Sequence, residues 1–258
     1  MTVALAVDLG SCVAGVWATH RGALTDFCGD AFTAAGPLVR RGRVVDVDGC
    51  IALLTRMVSR YAEPVPTGST IVACRPVQAT EADQAATRQV LEAVFSPARL
   101  HFIDTVRAAA IGSGAAAGTL LIADVGAQLT EVALLRQGRV IAARRSDVGT
   151  RDLGHGATVG LIGDNVVRHI GDLRAGPAGA GLRAAMARGM LLVGDGAARP
   201  DLAAALSRAV RVRVHRAADP RTAALHGAGL AAMSLLRHPT RRTVRSPAMR
   251  SATDPEPA

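Results

Sequence analysis

Two Asp-x-Gly tripeptides are the residues of this sequence whose types and spacing could do chemistry. Asp8 and Gly10 close the apolar run that opens the chain, and Asp124 and Gly126 close a second apolar run near its middle. A carboxylate beside a glycine turn can ligate a metal ion, and the N–H groups of such a turn can bind an anion. The same tripeptide also ends strands for purely conformational reasons. Both interpretations stay open at the level of the residues.

Hydrophobic patterning gives the two tripeptides the same local context. The apolar run at 3–7 predicts a buried strand, and a second strand returns over 13–19. In the second half, strands are predicted at 120–124, 131–135 and 140–143, with a turn at Gln137-Gly138. Because both halves open with a strand that ends in Asp-x-Gly and is followed by a second strand, the sequence indicates an internal duplication.

Helices and strands alternate through the remainder of each half. The first half continues with a helix capped by Asp48, a strand at 71–74, a helix opened by a Thr80–Asp83 capping box, a strand at 100–103 and a helix at 106–111. The second half continues with a helix at 161–170, a flexible stretch at 176–181, a strand at 190–194, a helix at 200–209, a strand at 212–215 and a helix at 222–236. Such alternation is typical of the α/β class.

A segment rich in Gly and Ala at 112–118 separates the two sets of elements. We therefore place a first half at 1–115 and a second half at 116–238. From 239 to 258, Pro, Arg, Ser and Thr dominate and apolar periodicity ends, which predicts a disordered basic tail.

Composition restricts the classes of protein. With 258 residues that are 49% hydrophobic, the chain can bury a substantial core. The net charge is +9, but every basic residue is Arg, which indicates a coding bias toward GC-rich codons, and aromatic residues make up only 2%. Base stacking has little support, so we expect no nucleic-acid partner. The four cysteines have no Cys-x-x-Cys spacing, which argues against a zinc site.

The order of the motifs resembles the actin-like ATPase superfamily and, within it, the bacterial MreB/Mbl family. The segments that carry the resemblance are 7–11, 43–49, 106–114, 122–126 with 130–133, 188–197, and 219–220 with 224–229. Each is short, and their common order and spacing make the match specific. The resemblance implies an actin-like, ribonuclease H-like duplicated α/β fold, with two related halves around a cleft.

The resemblance also implies a site for ATP and Mg2+ in that cleft. Two glycine turns would clasp the phosphates through backbone N–H groups, and Asp8 and Asp124 would hold a hydrated metal ion. A third turn would contact the adenosine. The residues implied to bind the cofactor are Asp8, Gly10, Ser11, Asp124, Gly126, Gly194 and Gly196.

Several positions depart from the family's pattern. Where the family's second phosphate loop has Gly-Gly-Thr after its first glycine, this chain has Ala127, Gln128 and Leu129. The Gln128 and Leu129 side chains are expected to crowd a bound phosphate. Asp195 stands where the adenosine loop usually has glycine, which places a negative charge near an anionic nucleotide. We therefore expect ATP and Mg2+ to bind weakly or not at all, and Asp8→Ala or Asp124→Ala to change stability little.

The family's catalytic carboxylate falls on Thr105 here, with Asp104 one residue away. A misplacement of about 1 Å at a reacting centre can cost roughly a hundredfold in rate, so Asp104 is a poor substitute. The stretches between Gly10 and Arg43 and between Gly149 and Gly189 are also short for the family. They correspond to the two outer subdomains, which we expect to be largely missing.

These features predict an MreB-like cytoskeletal or scaffold protein, linked to cell shape and cell-wall synthesis, with weak or no ATP hydrolysis. The alternative is a functional actin-like ATPase with divergent loops, in which Asp104 and Thr130 replace the missing groups. A regulator related to heat-shock ATPases fits less well, because we expect the residues after 238 to be a tail rather than a substrate-binding domain. The expected partners are a full-length MreB-type filament or cell-wall synthesis proteins.

The sequence lacks an apolar run of about eighteen residues, and no basic segment precedes its first strand, so we expect a cytoplasmic protein without a signal peptide. Five arginines near the end favour either a solvated tail or a weak contact with anionic lipid; they are Arg237, Arg241, Arg242, Arg245 and Arg250. The second interpretation would make the protein membrane-associated.

Overall fold

The computed structural model describes residues 3–27 and 36–237. The predicted tail at 239–258 lies outside the described residues, so its order and its lipid contact stay predictions, as do the domain boundaries.

The first half is built on a mixed five-stranded sheet. In chain order its elements are β1 (Ala4–Leu9), β2 (Val13–Ala18), β3 (Gly22–Phe27), β4 (Val39–Arg40), β5 (Arg43–Val44), α1 (Val47–Val58), β6 (Thr70–Arg75), α2 (Glu81–Phe95), β7 (Arg99–Asp104) and α3 (Thr105–Gly112). The sheet order is β3-β2-β1-β6-β7, with β1 to β3 antiparallel and β6 and β7 parallel to β1. Strands β4 and β5 form a separate two-stranded ladder.

The second half repeats this plan. Its elements are β8 (Thr119–Val125), β9 (Thr130–Arg136), β10 (Arg139–Ser146), α4 (Val159–Ala175), α5 (Gly179–Arg188), β11 (Met190–Val193), α6 (Pro200–Val210), β12 (Val214–Arg216) and α7 (Ala223–Arg237). The sheet order is β10-β9-β8-β11-β12, which matches the first sheet strand for strand. The predicted internal duplication and the α/β class are therefore confirmed.

The two sheets enclose a middle layer formed by α3 and α7. Helices α1 and α2 cover the outer face of the first sheet, and α4, α5 and α6 cover that of the second. Successive side chains along each central strand point alternately to the middle layer and to the outer helices. In β1, Ala4 and Ala6 face the middle layer while Leu5 and Val7 face α1. In β8, Ile122 faces the middle layer.

This alternation positions the two sequence motifs. Asp8 continues the inward face of Ala4 and Ala6, and Asp124 continues the inward face of Ile122. Because both central strands end at the same level of the middle layer, both carboxylates reach the space between the sheets. The buried strands thus explain why the two Asp-x-Gly turns meet.

Two sequence expectations about local structure are corrected, and one strand is added. Helix α1 is capped by Asp46, whose side chain accepts a hydrogen bond from the Gly49 N–H at 2.8 Å, and Asp48 lies inside the first turn. Strand β3 was not anticipated. The stretch predicted to be flexible at 176–181 leads into helix α5, which buries Leu182 and Ala185. Its Gly and Ala content concealed a helix that tertiary packing stabilises.

Two local predictions are confirmed in detail. Thr80 and Asp83 form a reciprocal capping box at the start of α2. Gln137 and Gly138 have φ of 49° and 68°, as a tight turn between two antiparallel strands requires.

The connections that correspond to the family's outer subdomains are short. Within the described residues, the link from β10 to α4 contains a single 3-10 turn, Thr150–Asp152, and the link from β3 to α1 contains only the β4–β5 ladder. None of the helices in 3–27 and 36–237 is long and apolar enough to cross a membrane.

Candidate nucleotide site in the cleft

The β1–β2 and β8–β9 turns have the same hydrogen-bonded geometry. The Gly10 N–H donates to the Val13 carbonyl at 3.0 Å, and the Gly126 N–H donates to the Leu129 carbonyl at 2.8 Å. A Cβ on Gly10 would lie 2.7 Å from the Val13 oxygen, so this turn requires glycine. The two predicted phosphate loops are therefore structural equivalents.

Both turns line one cavity of about 120 Å³ between the halves. The structure brings together most of the predicted site residues around it: Asp8, Gly10, Ser11, Thr105, Asp124, Gly126 and Gly194. Gly196 and Asp104 do not line it. A Cβ on Gly196 would lie 2.6 Å from Val125 Cγ1 and 2.7 Å from Leu202 Cδ2, so this glycine serves core packing.

Gly194 is required by the site itself. Its φ is +81°, and a Cβ there would collide with the Asp124 Oδ1 atom and lie 2.7 Å from the Val125 carbonyl. The turn after β11 therefore rests directly on the carboxylate at the end of β8, and any side chain at this position would displace it.

Three carboxylic acids share the space between the halves. Burial raises the pKa of Asp8 to about 6. Burial, together with the nearby charge of Asp8, raises the pKa of Asp124 to about 7. Burial raises the pKa of Glu131 well above its ordinary value, and the charge of Asp124 adds to this. Burial and the same three carboxylates also raise the pKa of the Cys74 thiol.

Glu131 was missed as a site residue, although the hairpin register could have found it. It lies directly opposite Asp124 in the β8–β9 pair, and its carboxylate accepts a hydrogen bond from the Val77 N–H at 2.5 Å. Its equivalent in the first half is Gly15, opposite Asp8. Glu131 is only 3% exposed, and its bond to Val77 joins the second half to the first.

The donor set for a metal ion is limited. Asp8 and Asp124 are two carboxylates of the type that a hydrated divalent ion accepts. Across the described part of the chain, no group of three or more His, Cys, Asp or Glu side chains is arranged to hold a metal ion. A metal would therefore depend on water for most of its ligands.

The residues that replace the family's glycine and threonine contact the first half. The Gln128 Oε1 atom accepts a hydrogen bond from the Arg41 N–H at 3.1 Å. A Cβ on Gly42 would lie 3.2 Å from Leu129 Cδ2, so the β4–β5 turn sits against that side chain. Neither Arg41 nor Gly42 was anticipated as a site residue, since their contacts span long sequence distances.

Asp195 is also engaged within the chain. One carboxylate oxygen accepts a hydrogen bond from the Thr150 hydroxyl at 2.5 Å, and the other pairs with Arg221 Nε at 2.6 Å. The pair with Arg221 neutralises the negative charge that the sequence places in the adenosine loop. This network joins the loops that follow β10, β11 and β12.

Each candidate catalytic side chain makes a hydrogen bond or an ion pair within its own half of the chain. Asp104 pairs with Arg75, Oδ1 to Nε, at 3.1 Å. The Thr105 hydroxyl donates to the Arg75 carbonyl at 2.9 Å. Thr130 is 1% exposed and donates to the Val148 carbonyl at 2.7 Å. Among these, only Thr105 lines the cavity.

Solved structures with this architecture define the class of protein. MreB5 of Spiroplasma citri bound to AMPPNP matches with a TM-score of 0.74 and 15% identity, covering 92% of this chain and 98% of that one. The same protein bound to ADP matches with a TM-score of 0.70 and 12% identity, covering 91% and 97%. The ethanolamine utilization protein EutJ from Carboxydothermus hydrogenoformans matches with a TM-score of 0.63 and 16% identity, covering 89% and 90%. The fold is the actin-like duplicated fold.

The family follows from the sequence. The model of the MreB/Mbl protein family matches residues 29–172, which is more than half of the chain. The chain therefore belongs to the MreB/Mbl family, and the resemblance drawn from its motifs is confirmed. No match is found among curated proteins.

Proposed function

We propose that this chain is a cytoskeletal or scaffold member of the MreB/Mbl family that supports cell shape and cell-wall synthesis with weak or no ATP hydrolysis. One observation carries the proposal: the chain's own side chains fill the places where the family's loops would contact a nucleotide. Gln128 and Leu129 meet the β4–β5 turn, and Asp195 is tied to Thr150 and Arg221.

The lining of the cleft supports the same conclusion. Gln128 and Leu129 line the cavity between the halves, at the positions where the family's loop has glycine and threonine. MreB5 of Spiroplasma citri is bound to AMPPNP in one structure and to ADP in another, so a similar fold holds nucleotide in that protein. We propose that the Gln128 and Leu129 side chains weaken nucleotide binding in this chain.

The alternative, a functional ATPase with divergent loops, needs Asp104 and Thr130 at the reacting centre. Asp104 is held by Arg75, and Thr130 is buried against the Val148 carbonyl. Each would have to break a good hydrogen bond to reach a nucleotide, which makes this function the weaker proposal.

A nucleotide titration of the purified protein tests the proposal. We expect Mg-ATP to bind no more tightly than about 1 mM, a free energy of about −4 kcal/mol, with no measurable turnover. A variant carrying Ala127→Gly, Gln128→Gly and Leu129→Thr should bind at least about tenfold more tightly, because it exposes backbone N–H groups and empties the loop. Low-micromolar affinity with turnover in the unaltered chain would instead support the ATPase.

The cytoskeletal part of the proposal concerns partners and place. We propose a full-length MreB-type filament or cell-wall synthesis proteins as partners, in the cytoplasm, with the basic tail as a candidate contact to anionic lipid. The support is family membership together with the arginines after residue 237. A fluorescent fusion imaged beside a full-length MreB should follow sites of envelope synthesis, whereas a diffuse signal would contradict this role.

A further inference from the structure

We propose that the turn between β4 and β5, at Arg41 and Gly42, is a built-in latch that holds the two halves together across the cleft where the family's fold would place nucleotide phosphates. The inference rests on the proposed function, since it assumes that the cleft is not needed for turnover. It assigns a structural role to Gln128 and Leu129, which the sequence alone presents only as damage to a nucleotide site.

Arg41 makes three contacts with the second half. Its N–H donates to Gln128 Oε1 at 3.1 Å, and its carbonyl accepts a hydrogen bond from Arg145 Nη2 at 3.2 Å. Its guanidinium lies 3.6 Å from the Asp152 carboxylate. Both backbone groups of this residue are therefore used to join the halves.

Gly42 brings the turn into contact with both phosphate loops. Its N–H donates to the Ser11 hydroxyl, in the first loop, at 3.4 Å. Its φ is +73°, and a Cβ there would lie 2.6 Å from Pro76 Cγ and 3.2 Å from Leu129 Cδ2, in the second loop. Only glycine can occupy this position without pushing the turn out of the cleft.

Two further bonds cross between the halves beside this turn. The buried Glu131 carboxylate accepts from the Val77 N–H, and Gln78 Nε2 donates to the Ala143 carbonyl at 3.4 Å. Val77 and Gln78 follow Pro76, which Gly42 contacts. The latch therefore continues into a second set of contacts between the halves.

The two residues that depart from the family's loop, Gln128 and Leu129, are the ones that contact the latch. Glycine at position 128 would offer no side-chain acceptor to the Arg41 N–H, and threonine at 129 would lack the δ-methyl group that faces Gly42. A side chain that accepts a hydrogen bond at 128 and an apolar one at 129 are thus what an internal turn needs. A bound phosphate instead needs the glycine and threonine that the family has at these two positions.

The contributions to the latch are unequal. Arg41 and Asp152 side chains are 32% and 24% exposed, and an ion pair in such a position contributes little to stability. The Gly42 backbone lies against Pro76 and Leu129 and leaves no space for a side chain. The decisive substitution is therefore at Gly42 rather than at the Arg41 side chain.

Hydrogen exchange without nucleotide tests the latch in Gly42→Ala, with Gly22→Ala as its matched control. Gly22 also has a positive φ, +79°, but a Cβ there has no atom within 4 Å, so both variants carry the same backbone strain and only one meets a collision. We expect amide exchange at 8–13, 77–78 and 126–131 to rise about tenfold in Gly42→Ala and to stay unchanged in Gly22→Ala. Equal exchange in the two variants would overturn the proposal.

A second pair of variants keeps the test decisive if Gly42→Ala fails to fold. Gln128→Ala removes the acceptor for the Arg41 N–H, whereas Gln137→Ala alters an exposed glutamine in the β9–β10 turn. We expect faster exchange at 77–78 only in the former, and no difference between the two would again overturn the latch. These measurements contain no ATP, so the ATP titration can contradict the proposed function while leaving this result unaffected.

Discussion

Gly227→Ala is expected to lower the free energy of unfolding by about 3–5 kcal/mol, which is a large fraction of the stability of a typical domain. A Cβ at this position of α7 would collide with the Ala108 carbonyl oxygen of α3 and lie 2.7 Å from the Gly112 N–H nitrogen. The obstacle is backbone, so no rotamer change can relieve it, and the helices would have to separate. Denaturant unfolding monitored by circular dichroism measures the effect.

Gly171→Ala provides the matched control for this prediction. Gly171 lies in the interior of α4, and a Cβ there has no atom within 4 Å. Alanine forms helix better than glycine by about 1 kcal/mol, so this variant should be more stable than the parent chain. Gly112→Ala, whose Cβ would meet the Ala223 carbonyl, should behave like Gly227→Ala. If Gly227→Ala lowered the free energy of unfolding by less than about 1 kcal/mol, α3 and α7 would not cross as closely as described.

The crossing of α3 and α7 explains how the two halves can share one core. Helix α3 ends the first half, whereas α7 ends the chain and packs on β1 and β6 of the first sheet. Small residues at the crossing let the backbones approach closely, so that Ala4, Ala6 and Ile122 can close around the same layer. The latch at Arg41 and Gly42 adds further contacts between the halves beside the cavity.

The sequence predicts well what depends on local periodicity. The inward alternation of Ala4, Ala6 and Asp8, repeated at Ile122 and Asp124, is enough to place two acidic turns against each other once the duplication is recognised. Most strands and helices follow from the same patterns. The exceptions are β3, the two-residue strands β4 and β5, and α5, which is rich in small residues.

The contacts that define the cleft depend on long-range packing, which local patterns do not contain. Gln128 and Arg41 are 87 positions apart, and Thr150 and Asp195 are 45 positions apart. Judged alone, Gln128 and Asp195 are substitutions that damage a nucleotide site. Judged with their partners, each satisfies a hydrogen-bonding group of the same chain, so both residues have a role in the fold.

Stability is expected to fall by about 3 kcal/mol as the pH rises from 5 to 8, measured by denaturant unfolding in the presence of EDTA. Asp8 and Asp124 have pKa values raised to about 6 and about 7 in the folded protein, against an ordinary value near 4 in the unfolded chain. A raised pKa means that the fold favours the protonated acid. The stabilisation is therefore complete below pH 4 and is lost as the pH rises through 6 and 7.

A lowered pKa changes stability with the opposite sign, and over a lower range of pH. Burial alone would raise the pKa of Asp83, but the hydrogen bonds with Thr80 and the charges of Arg43 and Arg145 together hold it below the ordinary value. Its contribution is present above pH 4 and disappears in stronger acid. Stability should therefore pass through a maximum near pH 4.

Asp124→Asn should remove much of the loss between pH 6 and 8. The amide has the shape of the acid without its charge, so it ends the repulsion with Asp8 and lowers the cost of ionising Glu131. We expect this variant to gain about 2 kcal/mol at pH 8 and to match the parent chain at pH 5. From the sequence we expected Asp8→Ala and Asp124→Ala to change stability little, because the site that these residues would serve departs from the family's pattern. The burial of both carboxylates predicts a larger effect.

Asp164→Asn separates this effect from a change in net charge. Asp164 is exposed on α4, so its substitution alters the charge of the protein by the same amount without relieving a buried carboxylate. Its stability should follow the parent chain at every pH. If Asp124→Asn and Asp164→Asn gave the same profile, the three acids in the cleft would be solvated and uncoupled. A gain confined to Asp124→Asn above pH 6 would show that the fold buries carboxylates whose mutual repulsion it must overcome.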